Sequence, residues 1–309
     1  MPGTIPISVI IPTRNRASVL KKSLDTWATQ GIYANEIIII DGSDDDETKK
    51  ITEQNFEGLT SKIIYLKATI LGAAAQRNQG IAAATQPFLL FADDDVYLED
   101  HCLERLWNAI NSDESIGGVN AMITNQRYLP MGTYSSTVAG ILYGKRLNSY
   151  AGKALIPGWG ILPEDRPDMP EIVPVEWLNL GATIYRKKAL PSPVFDPYFA
   201  GYSLAEDLAL SVTVGRNWKL MNVRTARIYH DSQPGSHKSN MFRMAEMDMM
   251  NRHYIMTHVL GKKGLKNYFK LLLFEIFQWS GGLTSKAGLK YLPASAAGRI
   301  VGFFKAVFQ

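Results

Sequence analysis

The chain has 309 residues, 46% hydrophobic and 20% charged. This composition excludes a disordered chain, a collagen-like repeat and a coiled coil, and it suffices for a large core. A lone cysteine, Cys102, excludes a disulfide scaffold and a cysteine-based zinc site and fits a reducing compartment. The net charge of +4 is unevenly spread: from Gly261 to Gln309 eight basic residues face one acid, Glu275, so this stretch carries +7 and the rest of the chain −3.

The opening residues Met-Pro-Gly-Thr-Ile-Pro lack a basic region followed by an apolar stretch, so no signal peptide is expected. From there the first half alternates strand-length apolar runs with helix-period segments. Ile7–Ile11, Glu36–Ile40, Lys62–Leu66 and Pro87–Phe91 read as buried strands. Between them, Val19, Leu24 and Trp27 share a helical face that Gly31 closes, and Gly72–Thr85 and Leu98–Ile110 read as further helices. Such a β-α-β-α series implies an α/β fold with a mostly parallel sheet sandwiched by helices. After Ile116 come a strand-like Gly118–Thr124, a Gly/Pro-dense loop from Gly152 to Pro174, and an ordered Val175–Tyr185. A helix over Leu204–Val214, two short strands at Lys219–Val223 and Ala226–Tyr229, and a loop at Ser232–Ser239 follow. From Asn240 the chain reads helical, with breaks near Gly261, Gly281–Gly282 and Pro293. The expected division is 1–115, 116–239 and a helical basic extension, 240–309. No stretch is apolar enough to span a bilayer, since Leu271–Trp279 is short and carries Glu275 and Gln278. A cytoplasmic protein at the cytoplasmic face of a membrane is expected.

In an open parallel sheet, ligands bind outside the carboxyl ends of the strands. Pro12-Thr13-Arg14-Asn15 follows the first strand, Asp41 ends the second, and Asp93-Asp94-Asp95 ends the fourth. Three consecutive carboxylates after an apolar strand repel one another, and a hard divalent cation, Mg²⁺ or Mn²⁺, is the simplest compensation. Helix capping is the alternative role for these aspartates. Asp41, directly after Ile37-Ile38-Ile39-Ile40, is positioned to accept a hydrogen bond from an imide N–H of a nucleobase. Neither Gly-x-Gly-x-x-Gly nor Gly-x-x-x-x-Gly-Lys-Ser/Thr occurs, which argues against a dinucleotide-binding domain and a P-loop NTPase.

Val9-Ile10-Ile11-Pro12-Thr13-Arg14-Asn15-Arg16, Ile38-Ile39-Ile40-Asp41-Gly42-Ser43, Gln76-Arg77-Asn78-Gln79-Gly80 and Phe91-Ala92-Asp93-Asp94-Asp95 resemble, in order and spacing, family 2 glycosyltransferases of the GT-A fold. Asn179-Leu180-Gly181-Ala182 with Arg186, then Ala205-Glu206-Asp207-Leu208, then Tyr229-His230 look like that family's acceptor-half motifs. The resemblance spans about residues 7–230. It implies an inverting, metal-dependent sugar transfer from a nucleoside diphosphate sugar, with UDP or dTDP favoured, to a glycan or lipid-linked glycan. Pro12, Thr13, Asn15 and Asp41 would hold the nucleoside, with Arg77 near the base or diphosphate, Asp93 at the ribose and Asp94 also in contact with the nucleotide. Asp95, or Asp94, would bind the metal together with His230. Glu206 and Asp207 form the implied catalytic pair, Asp207 being the base. Asn179 and Gly181 belong to the acceptor side, as does Trp159 in the Gly/Pro loop, whereas Trp177 is expected in the core. The chain departs from many relatives in lacking an arginine directly after Asp207, where Arg216 is the nearest substitute.

Basic residues interleaved with aromatics in 262–274 and 299–308 fit an interfacial helix on anionic lipid. Packing on the catalytic domain or a homodimer is the other use of such helices, and nucleic acid is disfavoured by the aromatic density. A nucleotidyltransferase on a related fold and a noncatalytic nucleotide-sugar or glycan-binding protein are the alternatives to the transferase.

Overall fold

The computed structural model describes residues 3–54, 56, 59, 61–232 and 240–308. Of the expected Ser232–Ser239 loop, all but Ser232 lies outside the described residues. The chain divides into two compact units, Met1–Arg127 with Pro163–Gln233, and Tyr128–Leu162 with Pro234–Gln309.

In chain order the elements are β1 (Thr4–Thr13), α1 (Ala17–Trp27), β2 (Tyr33–Asp41), α2 (Glu47–Thr52), β3 (Lys62–Lys67), α3 (Ala73–Ala83), β4 (Phe88–Ala92), β5 (Val96–Leu98), α4 (Cys102–Asn111) and β6 (Ile116–Ile123). They continue with α5 (Thr133–Tyr143), β7 (Ala154–Leu155), β8 (Trp159–Gly160), β9 (Ile172–Pro174), β10 (Ala182–Arg186), α6 (Glu206–Val214), β11 (Lys219–His230), α7 (Met241–Tyr254), α8 (Leu265–Gly282) and α9 (Lys286–Phe308).

The first unit is built on one sheet of order β3-β2-β1-β4-β10-β6-β11-β5, with β9 on β11. The β3, β2, β1 and β4 strands are parallel, and β10 inserts antiparallel between β4 and β6. The apolar runs are continuous because both sheet faces are covered. Ile7, Val9 and Ile11 share a core with Leu20 and Leu24 of α1 and Leu103 and Leu106 of α4. Ile10 turns to the other face, where α3 lies so close that a Cβ on Gly80 would stand 2.7 Å from Ile40 Cδ1 and 2.8 Å from Ile10 Cγ2. The parallel register sets Thr13 beside Asp41 and Asp41 beside Lys67, so three strands end along one edge.

Two expectations are corrected here. The helix expected from Leu98 starts only at Cys102, because Val96–Leu98 pairs with Ile228–His230 instead. The two short strands expected after 219 are one strand, β11, whose pairing with β6 slips between Val223 and Arg227.

The second unit is mainly helical, with a small β7–β8 hairpin. Phe274 of α8 is buried with Leu142, Tyr150 and Leu155. A Cβ on Gly298 or Gly302 of α9 would collide with the carbonyl oxygen of Phe242 or Glu246 of α7, so these glycines set the close approach of the two helices. Arg299 ties the bundle by pairing with Asp248 at 2.9 Å and Glu275 at 3.0 Å. The break expected at Pro293 does not occur, and α9 runs through it. Pro293 is exposed, as is Leu289 one turn earlier, so the proline stands on a solvent-facing side of the helix.

Candidate active site

The acidic residues after β4 form a tight turn, and each carboxylate has its own environment. Asp94 turns toward β1: Thr13 Oγ1 donates to its Oδ2 at 2.7 Å, and Arg16 Nη1 lies 3.3 Å from its Oδ1. Burial pushes Asp94 up to about 6, against the Thr13 hydrogen bond. Asp95 turns the other way, with its Oδ1 3.1 Å from His230 Nε2. The antiparallel pairing of His230 with Val96 creates that contact across a long sequence separation, and the Asp231 N–H donates to the Asp95 carbonyl at 2.9 Å. Asn125 clasps the His230 backbone in both directions, at 2.8 and 3.1 Å. Asp93, Asp95 and His230 each offer a ligand atom within 4.8 Å of the others. Two carboxylates and an imidazole are a donor set that suits Mn²⁺ or Mg²⁺ completed by phosphate oxygens and water, so the residues fit a divalent ion.

Arg77 connects this cluster to the Glu206-Asp207 pair. Its Nη2 donates to Asp93 Oδ1 and its Nη1 to Glu206 Oε1, both at 2.7 Å, while the side chain is almost fully buried. Asp207 is the second residue of α6; its Oδ2 accepts from Trp177 Nε1 at 3.0 Å and its Oδ1 from the Leu208 N–H at 2.6 Å. Burial raises both Glu206 and Asp207, with Arg77 opposing the rise in each. Trp177, expected in the core, is half-buried and has its one polar atom on Asp207.

Gln76 Nε2 donates to the Thr13 and Ile40 carbonyls, tying α3 to the ends of β1 and β2. Asn78 exchanges two hydrogen bonds with the Phe195 backbone, and Gln79 holds Thr69 and Lys67. Asn15, at φ 54°, accepts from the Asp44 N–H and donates its own N–H to Ser43 Oγ, stitching the loops after β1 and β2, with half-buried Pro12 just before Thr13. Asp41 is fully buried; Ser43 N–H and Tyr65 OH donate to its oxygens at 2.8 and 3.0 Å, and Lys67 Nζ is 3.8 Å away. Asn179 Oδ1 accepts from the Gly181 N–H, and a Cβ on Gly181 would press on Ile228 at 3.0 Å.

The expected residues from Pro12 to His230 thus all lie in the first unit, except Trp159. That residue belongs to the second unit, where its ring packs 5.5 Å from Phe274 and from Phe277. Arg16, Trp177 and Gln126, whose amide nitrogen is 3.4 Å from His230 Nδ1, join the site without having been assigned to it. Arg16 sits inside the first motif, and only the fold brings its charge to Asp94 and Asp95. Nothing local marks the other two.

The model of glycosyl transferase family 2 matches residues 8–155. Those residues belong to glycosyl transferase family 2. The family 2 segment carries Thr13, Asp41, Arg77 and the Asp93-Asp94-Asp95 turn; Trp177, Glu206, Asp207 and His230 follow it within the same unit. The chain is 38% identical over 95 residues to a PGL/p-HBAD biosynthesis glycosyltransferase of Mycobacterium bovis, which covers 30% of this chain and 37% of that protein. The chain therefore spans little more than a third of the length of this relative. Among solved structures it is similar to Staphylococcus aureus TarS 1-349 in complex with UDP-GlcNAc, at TM-score 0.58 and 19% identity over 98% of this chain and 82% of that one. It is also similar to the mannosyltransferase PcManGT from Pyrobaculum calidifontis in complex with GDP-Man and Mn²⁺, at TM-score 0.55 and 13% identity over 98% and 87%. The fold is the GT-A fold of these glycosyltransferases.

Proposed function

We propose that the chain is an inverting glycosyltransferase that moves a sugar from a nucleoside diphosphate, UDP or dTDP favoured, to a hydroxyl of a glycan or lipid-linked glycan. The observation that carries this reading is the buried guanidinium of Arg77, which contacts both Asp93 of the Asp93–Asp95–His230 cluster and Glu206 of the Glu206-Asp207 pair. Displacing a diphosphate from an anomeric carbon needs a base on one side and charge compensation on the other, and these are the two groups that Arg77 joins.

A divalent ion held by Asp93, Asp95 and His230 would supply Lewis-acid stabilisation to the leaving diphosphate. Mn²⁺ in the mannosyltransferase complex supports this choice of ion. Asp207 takes the proton of the acceptor hydroxyl as its oxygen bonds to the anomeric carbon. The bond from that carbon to the diphosphate oxygen breaks with its electron pair on the diphosphate, and the single displacement inverts the centre. A carboxylate raised by burial is a better base for this proton than an ordinary surface aspartate. Trp177 holds the carboxylate by one oxygen.

In this reading the donor is held from the first 115 residues and acceptor chemistry comes from 116–239. Thr13 and Asp94 line the ribose side. Asp41 meets the base edge by exchanging its Tyr65 hydroxyl for the base N–H, because both of its oxygens are already engaged. A noncatalytic binder has no use for a buried carboxylate kept against an indole N–H.

The test is Asp207→Asn, read by nucleoside diphosphate release from a sugar donor in the presence of a glycan acceptor. Turnover should fall about 10²–10⁴-fold with UDP affinity by calorimetry within about twofold of wild type. Turnover left at the wild-type level removes Asp207 from the reaction.

A further inference from the structure

We infer that the outward faces of α8 and α9 are a docking surface for an anionic lipid bilayer, the helices lying in the plane of its interface. The inference stands on the helical unit alone and does not depend on the reaction proposed above.

A helix packed on a globular unit ordinarily turns its apolar stripe inward and its polar face to water. In α8 the inward stripe is present: Leu271 and Phe274 are buried and Glu275 is buried against Arg299. A second apolar stripe faces outward. Leu265, Phe269, Leu272 and Ile276, spaced by four, three and four residues, fall on one side of the helix and are exposed, Leu265 at 89% and Phe269 at 61%. The same holds for α9. Gly298 and Gly302 seat it on α7, and this leaves Ile300, Phe304 and Phe308 outward, Phe308 at 79%. Apolar area of this extent marks an interaction surface.

Charge identifies the partner. The eight basic residues of 261–309 do not all face water. Lys270 is buried on the Leu142 carbonyl, Arg299 is held by Asp248 and Glu275, and Lys305 pairs with Glu246. The five that remain exposed are Lys262, Lys263 and Lys266 at the start of α8 and Lys286 and Lys290 at the start of α9. The one acid of the segment, Glu275, is internal. Exposed apolar stripes with lysines at their ends and no exposed carboxylate complement acyl chains under anionic headgroups. A second copy of the chain meeting this face about a two-fold axis would bring like charges together. Nucleic acid would leave the apolar stripes unburied. No helix among the described residues is long and apolar enough to cross a membrane, so the helices lie on the bilayer rather than through it.

The experiment is co-sedimentation of the full chain with phosphatidylcholine vesicles, alone and with about a third phosphatidylglycerol. Binding should be at least tenfold tighter to the anionic vesicles and weaken with salt. Phe269→Ser with Phe304→Ser should lower it at least tenfold, as should Lys262→Glu with Lys263→Glu and Lys266→Glu, each with unchanged circular dichroism and nucleotide binding. Equal binding to both vesicles, or wild-type binding by the serine variant, overturns the proposal. So does a dimer in sedimentation velocity that the serine variant dissolves without any lipid binding, which would make the face a self-association surface. Nucleotide binding, measured separately, tells failure of this inference from failure of the transferase reading.

Discussion

Trp177 and Asp207 are 30 residues apart, and one hydrogen bond of 3.0 Å joins them. That bond stabilises the charged carboxylate, while burial, the larger influence, disfavours it. The balance leaves Asp207 above the ordinary carboxylate range, so activity should be lost as the pH falls through that raised value and the base takes up its proton. Trp177→Phe keeps the ring and deletes the donor. It should move the acid limb of kcat/KM to higher pH, because the charged form has lost a stabilising partner; a pH–rate profile of both proteins checks this. A rate loss with the limb unmoved would make Trp177 a packing residue only. The pairing was hidden from sequence reasoning for a physical reason. A tryptophan is a large apolar body with one polar atom, and only the fold determines what that atom meets.

At the scale of elements, α3 does more than cover the sheet. Through Gln76 it holds the ends of β1 and β2, through Asn78 the chain at Phe195, and through Arg77 the two acidic groups. Arg77 itself is kept charged by Asp93 and Glu206 against its burial. Arg77→Met leaves a buried carboxylate uncompensated and should cost about 3–5 kcal/mol in urea denaturation. Adding Glu206→Gln should restore part of that loss, since the stranded charge is then gone. A single variant within about 1 kcal/mol of wild type would mean that the pair is not desolvated. The run 76–80 is one of the motifs that carry the family resemblance. The short β5 carries no periodic signal, so the pairing that brings His230 to Asp95 could be expected only from the resemblance. The α5 helix has no clear sequence signal because its Thr-Tyr-Ser-Ser start is neither apolar-periodic nor a strong helix former, and only Val138, Ala139 and Leu142 are buried.

At the scale of the whole molecule, the first unit was the more legible one. Buried parallel strands read as continuous isoleucine and leucine runs, and strand ends mark where ligands bind. The second unit follows other rules: close packing through Gly298 and Gly302, an internal Arg299 ion cluster, and a proline accommodated on an exposed face. None of these has a distinctive period in sequence, and nothing in the basic tail marks Lys270 and Arg299 as its two internal charges. In the proposed reaction the acidic cluster holds a nucleoside diphosphate through a divalent ion. Thermal unfolding of the full chain with UDP, dTDP, GDP and CDP, each with Mn²⁺ and with EDTA, alongside Asp95→Ala, reads this directly. One nucleotide at a hundred times its Kd should add about 2.7 kcal/mol with Mn²⁺ and nothing with EDTA or in Asp95→Ala. Stabilisation that survives both EDTA and the loss of Asp95, or no stabilisation by any of the four, would contradict the account.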